Sequence, residues 1–221
     1  MEAYKTVYKG GQGEIVEKKS RFIATVRPVE TEEEALAFIE EMKKKYWNAS
    51  HNCFAYTAGE RREIVRAGDD GEPSGTAGKP MLEVLLGADL YHTAIVVTRY
   101  FGGTLLGAGG LVRAYSAAAK AGLEASQIIE KILGVPLTLQ TDYNGVGKIQ
   151  YLLGQEKIPT LQADYTESVS LKIILPVSKE KSFCQKLTEA TSGRVQIQRE
   201  APAYYAELDG RVLLGEELRA L

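Results

Sequence analysis

Apolar and polar positions alternate at two periods along this chain, and the change of period marks the elements. Residues 4–8, 14–18 and 22–29 are short β-branched and aromatic stretches and predict three strands, the first turn supplied by Gly10-Gly11-Gln12-Gly13. Ala35, Leu36, Phe38, Ile39 and Met42 then recur at helical spacing and predict a helix to about Tyr46. Thr31 is its expected N-cap, with Glu34 completing a capping box. Glu32, Glu33 and Glu34 at its start and Lys43, Lys44 and Lys45 near its end suit the helix dipole, so the lysine run is first a helix-end device. Residues 52–58 and 63–67 predict a strand pair turned at Gly59-Glu60. Residues 77–86 predict a helix with Lys79-Pro80 in its first turn, residues 93–100 a central strand, and residues 109–125 an alanine-rich helix.

A second rhythm follows. Residues 132–141 predict a strand, and Asp142 or Asn144 caps a helix to about Leu153. Residues 159–163 and 169–175 predict strands, Ser178 caps a helix to about Ala190, and residues 194–198 close the series. The order β-α-β-β-α-β is ferredoxin-like. The expected fold class is therefore α+β in two domains, residues 1–126 and 130–200, with a tail over 201–221 that turns at Asp209-Gly210. The second domain shows no cluster of reactive side chains and reads as a packing or partner-binding module.

Composition narrows the function classes. The 221 residues are 44% hydrophobic and 25% charged, ordinary for a globular chain. No apolar run approaches the length of a bilayer span, and Met1-Glu2-Ala3-Tyr4-Lys5 lacks the layout of a signal peptide, so the expectation is a cytoplasmic protein with no membrane partner. Cys53 and Cys184 stand far apart, and with His51 and His92 they make no metal-ligand spacing; no metal and no cofactor is expected. The net charge is −2, with 16 Lys and Arg against 17 Asp and Glu up to Ala125 and 11 against 12 beyond it. Bulk charge thus supports neither non-specific RNA binding nor any binding to DNA, while a local basic patch stays open.

Two loops carry the candidate chemistry. Asp69-Asp70-Gly71-Glu72-Pro73-Ser74-Gly75-Thr76-Ala77-Gly78-Lys79-Pro80 holds three carboxylates and three glycines, with nothing apolar larger than alanine and proline. About twenty residues later, Tyr100, Phe101, Gly102, Gly103, Gly107, Gly109 and Gly110 lie between Arg99 and Arg113, where a strand ends and a helix opens. Free backbone N–H groups at such a helix start suit a phosphate, a carboxylate or a nucleic-acid backbone; the plainer alternative is that the glycines only permit tight packing. In the first loop Asp69, Asp70 and Glu72 suit a hard cation or acid–base work, Ser74 or Thr76 a nucleophile if His51 is its base. Alternatively the carboxylates cap the next helix and hold Lys79, Arg99 or Arg113. Named motifs fail: Pro80 stands where a P-loop needs Ser or Thr, Val112 ends a would-be dinucleotide fingerprint, and Asp69-Asp70-Gly71 lacks EF-hand spacing.

Ser20-Arg21-Phe22, Ala49-Ser50-His51-Asn52-Cys53, the first loop to Gly78, Val97-Thr98-Arg99-Tyr100-Phe101-Gly102-Gly103, and the run from Leu106 to Tyr115 together resemble the bacterial YigZ branch of the IMPACT family. The resemblance is dense over the first 125 residues. It implies a first domain like the second domain of ribosomal protein S five and domain IV of elongation factor G, and a second like domain V of that factor. Eukaryotic members bind an activator of the amino-acid-starvation kinase through a further N-terminal region that this sequence lacks, so only the common domain is implied. The resulting expectation is a non-enzymatic binder linked to translation through RNA, the ribosome or a protein factor. Its anion-binding face would be built from the two loops and His51, with Arg21, Lys79, Arg99 and Arg113 at its edge. The alternative is an enzyme acting on a small phosphorylated substrate, since small-molecule kinases share the broad fold.

Overall fold

The computed structural model describes residues 1–219. It is a mixed α+β structure with two compact units, one formed by Tyr4–Glu130 and the other by Lys131–Arg219 with Met1–Ala3.

The first unit contains β1 (Ala3–Lys9), β2 (Gln12–Glu17), β3 (Ser20–Pro28), α1 (Glu32–Lys45), β4 (His51–Ala58), β5 (Ile64–Gly68), α2 (Gly78–Gly87), β6 (Leu90–Tyr91), β7 (Thr93–Tyr100) and α3 (Ala108–Glu124). Five strands form an antiparallel sheet in the order β2-β3-β7-β4-β5. Its centre, β7, is covered on both faces, which is why Ala94, Ile95, Val96 and Val97 are apolar without a break. Ala94 and Val96 pack with Phe38, Ile39 and Met42 of α1. Ile95 and Val97 pack on the opposite side with Met81 and Leu85 of α2 and Leu111, Tyr115 and Ala118 of α3. The short strand β6, absent from the sequence reading, pairs in parallel with β1 through Lys5 and Leu90.

Close contacts set the position of α3. A Cβ on Gly13 would lie 2.4 Å from the Ala121 carbonyl carbon, and one on Gly122 would lie 2.9 Å from the Ala24 Cβ. Only hydrogen at these positions lets α3 lie directly on β2 and β3. The β2–β3 hairpin turns at Lys18 and Lys19, whose φ values are 45° and 67°. Strand β2 thus ends one residue earlier than expected. Two consecutive left-handed residues are what a tight hairpin demands, although Asn-Gly is the usual occupant.

Helix starts follow three solutions. Thr31 Oγ1 accepts from the Glu34 amide at 3.2 Å, as the capping box requires, but the Glu34 carboxylate accepts from the Glu30 amide rather than that of Thr31. Helix α2 has no local capping side chain. Its cap comes from nine residues upstream: Asp69 accepts from Gly75 N at 2.8 Å, Ala77 N at 3.1 Å and Gly78 N at 2.8 Å. Burial by itself would push the Asp69 carboxyl up; the three amides outweigh it and hold it below its usual range. The third helix start, that of α3, has no cap.

In the second unit, β8 (Gln127–Thr141), α4 (Tyr143–Glu156), β9 (Thr160–Tyr165), β10 (Val169–Pro176), α5 (Val177–Ala190) and β11 (Gln196–Arg199) follow the expected element order. Strands lie in the order β9-β10-β8-β11, each pair antiparallel. This is the ferredoxin-like arrangement, and Leu137, Leu139, Leu171 and Ile173 pack with Ile149, Phe183 and Leu187 of the two helices. Asp142 Oδ1 caps α4 by accepting from Gly145 N at 2.7 Å. Ser178 is a correction: Pro176 occupies the N-cap position of α5, and Ser178 lies inside its first turn. Strands β12 (Ala203–Leu208) and β13 (Arg211–Leu214) form the hairpin expected around Asp209-Gly210. The last two residues, 220 and 221, of the expected tail lie outside the described residues.

Replacing Asp69 with Asn should destabilise the fold by about 2 kcal/mol, because amide donors to a charged acceptor are each worth roughly 1.5–3 kcal/mol. A group with a depressed folded pKa stabilises above its unfolded value, near 3.9, and that contribution fades as pH falls through the folded value. Urea melts of the two proteins should therefore differ at pH 7 and converge as pH falls below the folded value. Gly13→Ala should cost about 1–3 kcal/mol through overpacking against α3, read as a lowered thermal midpoint.

Candidate functional site

The two glycine-rich loops meet. Arg99 at the end of β7 donates from Nη1 to Glu72 Oε1 at 2.6 Å, joining the second loop to the first. Both side chains are buried, 6% and 3% exposed. Tyr115 of α3 donates its hydroxyl to the same Glu72 oxygen at 2.8 Å. The Cys53 thiol of β4 lies 3.0 Å from the Asp69 carbonyl oxygen and 3.3 Å from the Tyr115 hydroxyl. Burial pushes the Cys53 thiol and the Tyr115 phenol far above their usual ranges, so both stay protonated.

The rest of the Arg99 guanidinium is held by rings and one weak contact. Its centre lies 5.3 Å from the Phe22 ring and 5.6 Å from the Phe101 ring. Nη2 is 3.4 Å from Ser20 Oγ, which also accepts from Gly102 N at 3.1 Å. Nε is buried and has no hydrogen-bond partner. An unsatisfied donor on a buried cation is costly unless something outside the chain completes it.

Above Arg99 opens a cleft of about 430 Å³. Gly71, Glu72 and Pro73 form one wall and Phe101, Leu105, Leu106, Gly107, Ala108 and Leu111 the other, with His51 and Arg99 between them. His51 Nδ1 is 2.8 Å from the Asp70 carbonyl oxygen, which can only accept, so Nδ1 carries a proton. The other nitrogen, Nε2, lies 3.9 Å from Glu72 Oε1. Phe101 is 49% and Leu105 82% exposed, giving the mouth an apolar rim.

The first turn of α3 borders this cleft. No side chain caps it and no acidic residue lies in it. Gly107, at the N-cap, has φ 71°, a conformation that favours glycine. Gly109 has no such need: it is helical, and a Cβ there would meet only the tip of Arg113 at 3.6 Å. On the other side of Leu106 a smaller cleft of about 240 Å³ is lined by Lys18, Gly110 and Arg113, with Glu17.

Other candidates from the sequence have internal duties. Asp69, Gly75 and Gly78 form the α2 cap. Asp70 Oδ2 accepts from Asn52 N at 2.6 Å. Thr76 is buried and donates to the Pro73 carbonyl at 2.6 Å, and neither it nor exposed Ser74 is hydrogen-bonded to His51. Arg21 pairs with Glu14 through two bonds of 2.8 and 3.0 Å and lies over the Tyr100 ring. Tyr100 donates to Asn48 Oδ1 at 3.0 Å. Gly102 lies against the backbone of Lys19, Gly103 has φ 84° in open space, and Lys79 is exposed on α2. Asp69 thus caps α2 and Glu72 holds Arg99, whereas Asp70 binds the Asn52 amide instead, and among the described residues no cluster could hold a metal ion. Sequence reasoning assigned no role to Ser20, Cys53 or Tyr115. The available signal was Tyr115 itself: it sits on the core stripe of α3, where a buried hydroxyl needs a partner.

Residues 18–123, which contain both loops, match the Impact N-terminal domain, and residues 139–194 match a domain of unknown function, DUF1949. The IMPACT family member YvyE of Bacillus subtilis is 44% identical over 198 residues, covering 90% of this chain and 91% of that one. The IMPACT family member YigZ of Escherichia coli is 39% identical over 182 residues, covering 81% and 89%. The IMPACT homolog of Dictyostelium discoideum is 38% identical over 108 residues, which is 30% of its own length. A crystal structure described as that of a hypothetical protein shares 36% identity with a TM-score of 0.58, covering 89% of this chain and 97% of that one. No helix among the described residues is long and apolar enough to cross a membrane. With most of both chains aligned to YvyE and both loops inside the matched domain, this chain belongs to the IMPACT family.

Proposed function

We propose that this protein is a binder of single-stranded RNA, linked to translation, that engages phosphates at the start of α3. One observation carries the reading: an uncapped helix N-terminus opens onto the cleft that also holds a buried arginine with an unsatisfied Nε–H. Helix amides and dipole favour a phosphate oxygen there. Lys18 and Arg113 extend the cationic track to the far side of Leu106. Exposed Phe101 offers a ring on which a base can stack, and Trp47, 81% exposed beside the α1 lysines, offers another. The net charge of −2 confines the attraction to this end of the unit.

His51 supports a second reading. Its Nδ1 proton is fixed by the Asp70 carbonyl, which leaves Nε2 as a base facing the cleft. That favours an enzyme acting on a small phosphorylated substrate.

Affinity for a short single-stranded RNA should fall steeply with salt. Lys18→Ala and Arg113→Ala should each weaken binding and flatten the slope of log K against log salt by about 0.7, the value for one phosphate contact on a single strand. Binding that ignores salt and both substitutions would remove the RNA reading and leave a protein factor as the partner. The enzyme reading predicts that ATP with magnesium raises the thermal midpoint and that turnover is lost in His51→Ala; no shift with either addition would dismiss it.

A further inference from the structure

We propose that the Arg99 cleft is a slot for one nucleobase bearing an exocyclic amino group, and that His51 and Glu72 select that group. This rests on the reading of the protein as a binder of single-stranded RNA, to which it adds a base preference.

The lining sets the class of ligand. Pro73 on one wall faces Phe101, Leu105, Leu106 and Leu111 on the other, which suits a flat apolar ring. Arg99 is turned to Glu72 and Ser20 and forms the floor, and its pairing with Glu72 adds no net charge. A volume of about 430 Å³ is at the small end of ligand sites and suits a single nucleoside. With the base inside, against Phe101, the phosphate of the same nucleotide stays at the mouth, where α3 begins.

The polar groups set the base. The Asp70 carbonyl fixes the proton of the neutral His51 ring on Nδ1, so Nε2 is an acceptor. Gly71 lies against the same edge of the ring, where a Cβ would come within 3.4 Å of Nδ1. Nε2 makes no hydrogen bond within the chain and is not closed off from solvent; His51 keeps 25% of its side chain exposed. Beside it stands a second acceptor, Glu72, whose Oε1 is 3.9 Å away. Arg99 and Tyr115 take two of the roughly four acceptor sites of that carboxylate, which leaves capacity for another donor. An amino nitrogen at about 2.9 Å from Nε2 stays within reach of the carboxylate, with one hydrogen for each acceptor. Adenine, cytosine and guanine carry such a group. Uracil does not: its one Watson–Crick donor, N3–H, stands between two carbonyls, and the Glu72 carboxylate repels them.

The test compares a short oligouridine with the same strand carrying one central adenosine, cytidine or guanosine, by fluorescence anisotropy with the label at one end. The best of the three should bind at least about tenfold tighter than the all-uridine strand, the worth of one hydrogen bond to a charged group. Removing the amine alone should erase that gain: purine riboside in place of adenosine, inosine in place of guanosine, or 2-pyrimidinone riboside in place of cytidine. His51→Phe keeps an apolar ring without the acceptor. It should lose the preference and bind the all-uridine strand as before, with the thermal midpoint showing that it is folded; if it does not fold, the analogue strands decide. A gain that survives removal of the amine, or that survives in folded His51→Phe, overturns the proposal. Equal affinity for all four strands overturns the slot and leaves the strand reading standing. Free nucleosides are the small probes: a thermal shift with adenosine, cytidine or guanosine but not uridine, with no strand bound, would support the slot and remove the strand reading. If neither strands nor nucleosides bind, both fall.

Discussion

The buried ion pair between Arg99 and Glu72 is the constraint on which the architecture of this end depends. It ties the acidic loop to the strand that starts the glycine-rich loop, and Tyr115 ties both to α3. A buried pair is a weak source of net stability, because desolvating two charges offsets their attraction. Its consequence here is registration. With one oxygen of Glu72 committed to Arg99 and Tyr115, the strand end, the acidic loop and the helix have a single arrangement relative to one another. Ser20 and Ser50 extend the same fixing to the backbone amides of Gly102 and Phe101. The second loop leaves the sheet after Tyr100, lines the cleft with Phe101 and reaches its mouth at Leu105.

Carboxylates and helix starts are matched unevenly in this unit, and the mismatch leaves the start of α3 without a side-chain cap. Asp69 completes α2 across a turn of backbone, and Thr31 with Glu34 completes α1. The positive end of each is therefore consumed internally. Helix α3 is left open although Glu72 contacts it one turn further on, because that carboxylate bonds Tyr115 rather than the first-turn amides. Placing the acid deeper keeps the N-terminal amides available while still compensating Arg99. The cationic residues nearest to it, Lys18 and Arg113, come from a strained hairpin turn and from α3 itself. A turn with two lysines at positive φ trades local comfort for charge at that spot.

The second unit follows a different logic. Its helices and sheet bury an apolar interior with each element in ferredoxin-like order, and Asp142 caps the first helix locally. In the first unit, by contrast, the close approach of α3 to β2 and β3 through Gly13 and Gly122 fixes the C-terminal part of that helix on the sheet.

Local periodicity determined most elements: the strand over 93–100, the α1 helix with its Thr31 cap, and the β-α-β-β-α-β order are all visible along the chain because their causes lie within a few residues. The same holds for the glycine and arginine content that singled out the two loops. What each loop residue does was decided by tertiary structure, since identical side chains can cap, pair or face a ligand. Asp69 and Glu72 are three residues apart, yet one is spent on α2 and the other on Arg99. Gly13 and Gly109 look alike in sequence; one is required by a helix backbone 2.4 Å away, while a Cβ on the other would meet only the Arg113 side-chain tip at 3.6 Å. Sequence determined which groups were present at this end of the fold, whereas distance and burial, which no local pattern encodes, decided which of them remain unsatisfied.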